Sequence, residues 1–267
     1  MTMDTAVRIA VDDVGTGEPA VLFIPGWCGD RTVFDDLLAG LGEHRRALSL
    51  DLRDHGRSAR TSTDFGTDAV VRDAVEVIRG AGLERVVPVA LSHAGWVAIE
   101  LRRRLGPEVV PGIVLLDWMV LGPPPGFTDA LAGLQDERAW EQVRGALFGR
   151  WTTGVKSPAL HEYVAGMGGY GFDHWRRAGR EIARSFAAEG RPLDALAALE
   201  TPCSTLHLYA QPAEDAYLAA QREFALAAPW FRPHRLDAQS HFPMFEVPDQ
   251  MVAAIEEFVA GLPPHNS

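Results

Sequence analysis

A serine, an aspartate and a histidine, far apart in the chain, have the residue types of a proton-transfer site. Ser92, Asp117 and His241 each follow a stretch of sequence that is typical of a strand. A histidine accepts a proton near neutral pH, and an acidic partner fixes its tautomer and raises its basicity. The order serine, acid, histidine is the one expected where the serine follows a sharp strand-to-helix turn. We therefore expect His241 to act as a base, Asp117 as its partner and Ser92 as the third member.

The segment around Ser92 is a relaxed form of the Gly-x-Ser-x-Gly turn. Ala90 and Ala94 occupy the two flanking positions, where a tight turn accepts only small residues. Such a turn lifts the serine Oγ out of the sheet and directs the next backbone N–H groups to the same space. With alanine at both positions, the pattern also fits an ordinary serine between a strand and a helix.

Two positions compete for the role of the acid. Asp117 ends the apolar run 113–116, where an ionised group needs a partner. Glu214 and Asp215 follow the next strand, but they also open a predicted helix, where acidic residues cap the helix and favour its dipole. We prefer Asp117, because a carboxylate at the end of a buried strand has few other uses.

Two backbone groups are candidates for an anion hole. Trp27 follows the Pro25-Gly26 turn after a strand, and its N–H and that of His93 are expected to be the two donors. The His93 side chain either takes part at the pocket floor or is a spectator. Four other tryptophans lie in or beside residues 122–200: Trp118, Trp140, Trp151, Trp175. With Trp27 they are expected to line a pocket for a flat aromatic ligand, although for Trp140 and Trp175 we favour a role in packing that segment on the sheet.

The elements that position these residues alternate between strands and helices. Strands are predicted at 7–13, 20–24, 47–52, 87–91, 113–118, 204–209 and 231–236, and helices at 32–41, 67–80, 95–105, 216–227 and 248–261. This alternation predicts a mostly parallel, doubly wound sheet, and the carboxyl ends of its strands share one crevice. With the elbow and the order of the three residues, it indicates an α/β-hydrolase fold.

A Pro-rich segment interrupts this alternation. Residues 122–126 read Gly-Pro-Pro-Pro-Gly, and from there to residue 200 the pattern is helical, with no convincing strand. We predict a core of residues 1–121 and 201–267 and a helical cap of residues 122–200.

Composition excludes several classes of protein. The formal net charge of −11 argues against nucleic acid or an anionic membrane as partner. Cys28 and Cys203 suggest no disulfide framework, and no metal, dinucleotide or phosphate motif is present. Without a signal peptide or a transmembrane run, the expected location is the cytoplasm, as a monomer or small homo-oligomer.

Several motifs resemble one family, the cofactor-independent 3-hydroxy-4(1H)-quinolone 2,4-dioxygenases, and within it the 2-heptyl-3-hydroxy-4(1H)-quinolone dioxygenases. The similarity covers residues 23–258, including the predicted cap. The motifs that carry it are PGWCGD at 25–30, SHAGWV at 92–97, LDW at 116–118, YGFDHW at 170–175, APWF at 228–231 and HFP at 241–243.

The resemblance implies a reaction that a fold alone does not specify. In that family a His/Asp pair deprotonates the 3-hydroxyl of the substrate, and the anion reacts directly with O2 without metal or flavin. A bridged peroxide then collapses to carbon monoxide and an N-acylanthranilate. For this chain the resemblance implies His241 as the base, Asp117 as its orienting partner, and Ser92 as a hydrogen-bonding group for the substrate.

The resemblance also implies the substrate contacts. These are Trp27, His93, Trp151 and Gly29, with an alkyl hydroxyquinolone and O2 as the only partners and with no cofactor. Family members carry a histidine where this chain has Gly29, so we expect either altered substrate contacts or a larger pocket there. Small residues in the predicted cap favour a long 2-alkyl chain on the substrate: Ala165, Gly166, Gly168, Gly169.

Two other functions use the same scaffold. A serine hydrolase, such as an esterase, would use Ser92 as the nucleophile with Asp117 and His241. A ligand-binding protein would need none of the three, so the intact set makes that class the weakest of the three hypotheses.

Overall fold

A computed structural model describes residues 7–264 and contains one seven-stranded sheet. The strands are β1 Val11–Val14, β2 Ala20–Ile24, β3 Ala47–Leu50, β4 Val86–Leu91, β5 Gly112–Leu116, β6 Ser204–Tyr209 and β7 Phe231–Arg235. The helices are α1 Asp35–Gly42, α2 Thr67–Gly80, α3 Gly95–Val109, α4 Phe127–Gly133, α5 Trp140–Trp151, α6 Pro158–Met167, α7 Phe172–Glu189, α8 Pro192–Ala197, α9 Asp215–Ala227 and α10 Pro248–Ala260.

The sheet has the order β1-β3-β2-β4-β5-β6-β7. Only β1 runs antiparallel to its neighbour, and all other pairs are parallel. Every residue of β2, β4 and β5 is buried, as a parallel strand covered on both faces requires. The predicted α/β-hydrolase fold with its mostly parallel, doubly wound sheet is confirmed.

The core lies on both faces of the sheet. On one face α2 and α3 pack against an apolar cluster that includes Val70, Ile99 and Trp118. On the other face α1 and α10 pack against a second cluster that includes Phe34 and Phe258. Burial on two faces holds the central strands rigidly, so the residues at their carboxyl ends have fixed positions.

The register of the central strands sets the floor of the crevice. Leu91, the last residue of β4, pairs with Leu116, the last residue of β5, and Leu116 also pairs with Leu208 of β6. Ser92 and Asp117 therefore leave the sheet side by side.

Between β5 and β6 the chain forms α4 to α8, with no strand. We call residues 122–200 the cap segment, and its separation from the core as a domain stays a prediction. The contacts of α8 differ from those of the other helices in this segment, because Leu193 and Leu196 pack into the cluster beside α3.

Some predicted boundaries are wrong. The first strand begins at Val11 and not at residue 7, and the predicted helix 32–41 is a 3-10 turn, Arg31–Phe34, followed by α1. Alternating polarity does not distinguish a paired strand from an extended approach to it, and only residues 11–14 pair with β3. Residues 1–6 and 265–267, which include the N-terminal segment used to predict the cytoplasm, lie outside the described residues.

Candidate active site

Ser92 occupies a strained turn at the end of β4. Its φ of 54° lies in the left-handed region, which costs a non-glycine residue about 1 kcal/mol or more. It begins a short 3-10 turn, Ser92–Ala94, that leads into α3. This is the geometry that a nucleophile elbow needs, and the structure places the Ser92 side chain on a cavity.

Asp117 leaves β5 in the same left-handed conformation, with φ 43°. Its backbone N–H donates to Leu208 at 2.8 Å, so the turn is fixed to β6. Carboxylate Oδ2 accepts hydrogen bonds from the N–H groups of Ala210 (2.7 Å) and Gln211 (3.0 Å). Only 3% of Asp117 is exposed, and these donors satisfy an oxygen that water does not reach.

His241 bonds to the other oxygen of that carboxylate. The distance from its Nδ1 to Asp117 Oδ1 is 2.8 Å, although 124 residues separate the two in sequence. A carboxylate accepts, so Nδ1 carries the proton and Nε2 has a free lone pair. The cap segment holds the same residue, because the His241 N–H donates to the Trp151 carbonyl (2.9 Å) and the two rings stack at 5.1 Å.

The loop after β2 lies against the elbow. A Cβ on Gly26 would be 3.5 Å from the Leu91 carbonyl oxygen and 3.8 Å from Ser92 Cβ. The next N–H, that of Trp27, has no acceptor among residues 7–264. His93 is the second residue of its 3-10 turn, where N–H groups have no partner within the helix. The two predicted anion-hole donors are thus unpaired and on neighbouring loops.

The His93 side chain is a neutral hydrogen-bond donor. Burial, together with the charge of His241, lowers the pKa of His93 to about 3. Its Nδ1 accepts from the indole N–H of Trp118 at 3.3 Å, so the ring proton lies on Nε2. Phe127 stacks on the imidazole at 5.7 Å, and both rings line the cavity.

A cavity of about 480 Å³ contains all the predicted site residues: Trp27, Gly29, Ser92, His93, Asp117, Trp151, His241. Its upper wall is apolar and comes from the cap segment, with Phe127, Leu131, Leu134, Leu147, Met167, Trp175 and Ile182. Of the alternative acids, Glu214 lines the cavity edge, and Asp215 pairs with Arg235 at 2.8 Å. The carboxylate that contacts His241 is therefore Asp117.

Three expectations about the cavity wall are wrong. Trp175 lines the cavity, whereas Trp140 does not line it and packs against Arg144 and Phe172 of the cap segment itself. The small residues 165, 166, 168 and 169 do not line the cavity, and they lie in the last turn of α6 and in the turn that follows it. The missing side chain at Gly29 does not enlarge the pocket, because the Tyr163 hydroxyl occupies the space where a Cβ would be.

The sequence-based interpretation missed two groups that support the site. His207 in β6 accepts the Trp118 N–H (3.4 Å) through Nε2 and donates through Nδ1 to Gln221 (2.6 Å), which fixes the peptide after Asp117. Burial lowers the pKa of His207 to about 4, so it is neutral. Tyr163, from α6, reaches the loop after β2. The presence of a histidine inside a buried strand pointed to His207, whereas no sequence pattern pointed to Tyr163.

Neither a metal cluster nor a membrane span appears in the described part of the chain. No group of three or more His, Cys, Asp or Glu side chains in residues 7–264 is placed to hold a metal ion. No helix in that range is long and apolar enough to cross a membrane.

Comparisons with known proteins agree with this geometry. The model of the alpha/beta hydrolase family matches residues 21–254. The 2-heptyl-3-hydroxy-4(1H)-quinolone dioxygenase of Mycobacteroides abscessus is 35% identical over 258 residues, 96% of each chain. The 1H-3-hydroxy-4-oxoquinoline 2,4-dioxygenase of Pseudomonas putida is 30% identical, over 90% of this chain and 91% of its own.

A solved structure shares the fold in detail. It is an AqdC variant in complex with its substrate, described as the structural basis for recognition and ring-cleavage of the Pseudomonas quinolone signal. The TM-score is 0.92 at 34% identity, over 96% of this chain and 97% of that one.

Proposed function

Because the chain belongs to the alpha/beta hydrolase family and, within it, to the 3-hydroxy-4-quinolone dioxygenases, we propose that it cleaves the ring of a 2-alkyl-3-hydroxy-4(1H)-quinolone with O2. The products are carbon monoxide and an N-acylanthranilate. The observation that carries the proposal for this chain is the His241–Asp117 pair, which opens into an apolar, aromatic-walled cavity.

The first step is removal of the 3-hydroxyl proton. His241 Nε2 is the acceptor, because Nδ1 already donates to Asp117. The imidazolium that forms is then stabilised by the Asp117 carboxylate, whose second oxygen keeps its two backbone donors. A base of this kind contributes roughly 10²- to 10⁴-fold to a rate.

The negative charge formed on the substrate is shared between the 3-oxygen and C2, next to the ring carbonyl at C4. The unpaired N–H groups of Trp27 and His93 are suited to bind that carbonyl, and Ser92 is suited to hydrogen-bond the same end of the substrate. The apolar wall leaves the anion poorly solvated and thus electron-rich.

That anion reacts with O2 as the second substrate. Both atoms of O2 enter the organic product. A peroxide first bridges C2 and C4, the two carbons that flank C3, and its collapse then expels C3 as carbon monoxide. Electrons balance between the substrate and O2 alone, so the reaction needs no metal or flavin. Independence from a cofactor is part of the proposal.

The apolar wall favours an alkylated substrate. Leu131, Leu134, Leu147, Met167 and Ile182 offer surface to a flexible 2-alkyl chain, and a heptyl chain is named for the relatives of this chain. The expectation of a long 2-alkyl chain therefore rests on these apolar residues and not on the small residues of the cap segment.

Oxygen uptake by the purified, chelator-treated protein tests the reaction. With 2-heptyl-3-hydroxy-4(1H)-quinolone we expect O2 consumption and carbon monoxide release in equal amounts. Comparable turnover of 2-methyl and unsubstituted quinolones with the heptyl compound inert would contradict the chain-length assignment. No uptake with any of them would contradict the reaction.

Ser92→Ala separates the proposal from a serine hydrolase. A hydrolase loses its covalent step and roughly 10⁶-fold in kcat. We expect the variant to keep at least about a tenth of its dioxygenase turnover, because one of several hydrogen bonds to the substrate is removed. Hydrolysis of an aryl ester by the wild type, abolished in the variant, would instead support the hydrolase.

A further inference from the structure

We propose that Tyr163 of the cap segment is a positioning residue for the anion hole. Its hydroxyl fits against the loop after β2 because Gly29 has no side chain. This inference rests on the proposed function, since it assigns a role in that reaction. It joins a residue of α6 to a backbone N–H in the core.

The loop between β2 and the 3-10 turn presents the Trp27 N–H because its later N–H groups are all engaged. Those of Cys28 and Gly29 donate to His55 Nε2 (3.2 Å) and to the Gly26 carbonyl (3.2 Å). Those of Asp30 and Arg31 donate to the Tyr163 hydroxyl (3.2 Å) and to Asp51 Oδ1 (2.8 Å). Of these four acceptors, only Tyr163 lies outside the core.

Tyr163 holds Asp30 at both ends of the residue. Its hydroxyl accepts from the Asp30 N–H and donates to the Asp30 carbonyl at 3.4 Å. Burial raises the pKa of the phenol well above its ordinary value, so the proton needed for the second bond stays in place. The ring itself packs edge-on against Phe242, next to His241, at 5.4 Å between centroids.

Gly29 is small because this hydroxyl needs the space. A Cβ at residue 29 would be 2.5 Å from Tyr163 Oη but 3.7 Å from Cζ. The first distance is a collision and the second an ordinary contact. Therefore the oxygen of Tyr163, and not its ring, excludes a side chain at this position.

Loss of the Tyr163 hydroxyl should reduce catalysis more than it reduces binding of the apolar part of the substrate. When the hydroxyl is lost or displaced, the Asp30 N–H loses its acceptor, the Asp30 carbonyl keeps only the Val33 N–H (3.4 Å), and the Trp27 N–H moves relative to the substrate carbonyl. Negative charge develops on the 3-oxygen, beside that carbonyl, as the 3-hydroxyl ionises, so a misplaced donor weakens the ionised form selectively.

Four variants test this: Tyr163→Phe, Gly29→Ala, the double variant and Tyr170→Phe. Tyr170 is the matched control, because its hydroxyl also accepts a backbone N–H of the core, that of Gly56 at 2.9 Å, but on the loop after β3. The readouts are kcat and KM for O2 uptake, thermal stability, and an anaerobic pH titration of the bound substrate by its absorbance.

For Tyr163→Phe we expect kcat to fall about tenfold with KM changed less than threefold, and the pKa of the bound 3-hydroxyl to rise by about one unit. Gly29→Ala should behave similarly. The double variant should be no worse than Tyr163→Phe, because the colliding oxygen is gone. Tyr170→Phe should lower thermal stability without moving the pKa of the bound substrate.

Other outcomes overturn the proposal. Tyr163→Phe matching Tyr170→Phe in kcat and in substrate pKa would show a structural role only. Additive effects of Gly29→Ala and Tyr163→Phe would show that the oxygen does not exclude the side chain. An inactive wild type would refute the proposed function and this inference with it, whereas an active wild type with either of the first two results refutes the inference alone.

Discussion

The carboxyl edge of the sheet and the cap segment contribute to the same cavity in different ways. At the edge, Ser92 and Asp117 have left-handed backbones, and hydrogen bonds from the two residues that follow β6 hold the Asp117 carboxylate. The cap segment supplies mainly apolar side chains to the wall. The edge is therefore built for fixed distances between reacting groups, and the cap for shape and exclusion of water.

Several polar contacts join the two regions, among them four that reach His241 or the loops after β2 and β3. The Trp151 carbonyl accepts from His241, the Tyr163 hydroxyl bonds Asp30, and His174 and Arg177 contact Asp54. Three of these contacts reach loops that follow β2 or β3, and one reaches the base itself. In the proposed reaction the cap segment therefore acts by holding His241 and these loops, and the proton-transfer groups belong to the sheet edge.

His241→Ala should have the largest effect, because it removes the base of the sheet edge. We expect kcat to fall by roughly 10³- to 10⁴-fold. Anaerobic binding of the quinolone, measured by fluorescence, should persist, because the cap wall is intact. Activity within tenfold of the wild type would mean that another group takes the proton and that the edge is not the reacting region.

Acidification should lower the free energy of unfolding, because three histidines are buried in their neutral form in the folded protein. Burial lowers the pKa values of His55 and His207 to about 4 and that of His93 to about 3, below the value near 6.5 of an unfolded chain. The unfolded state binds these protons first, so stability is complete above about pH 6.5 and is lost as pH falls toward 4.

Urea unfolding at two pH values measures this loss. Between pH 7.5 and 5.5 each imidazole costs about 1.4 kcal/mol, or on the order of 4 kcal/mol for the three. Replacing the buried His207 by Gln should reduce the pH dependence of the free energy of unfolding by about a third. An unchanged free energy of unfolding would show that these imidazoles are solvated.

Asp117→Asn should reduce kcat by about 10²-fold, less than loss of the base itself, because the imidazole remains but its tautomer and charge are no longer supported. Glu214→Gln is the matched control, as a carboxylate on the same cavity without contact to His241. A larger loss in that control would reassign the acid.

Trp151→Leu should have the smallest effect, about tenfold in kcat/KM, because the stacked ring is lost while the backbone carbonyl that holds His241 remains. Trp140→Leu, the cap tryptophan that does not line the cavity, should leave kcat/KM unchanged. Equal effects of the two variants would show that the cap acts through its stability and not through the ring beside the base.

The sequence determined the parts of this site that depend on local pattern. Apolar runs of strand length located β2, β4 and β5, since parallel strands buried on two faces are almost wholly apolar. The small residues around Ser92 located the turn, and the end of an apolar run singled out Asp117. Because strand ends share one edge of a parallel sheet, these residues and His241 were predicted to converge.

Only the tertiary structure decided the contacts between the cap segment and the core. That Tyr163 Oη enters the space at Gly29, that the Trp151 carbonyl holds His241, and that His207 fixes the peptide after Asp117 depend on how α5, α6 and the strands pack. Local propensity specifies where a helix begins, but not which side chain reaches a loop 133 residues away. Such pairs follow from side-chain packing across the whole molecule, which no pattern within one segment records.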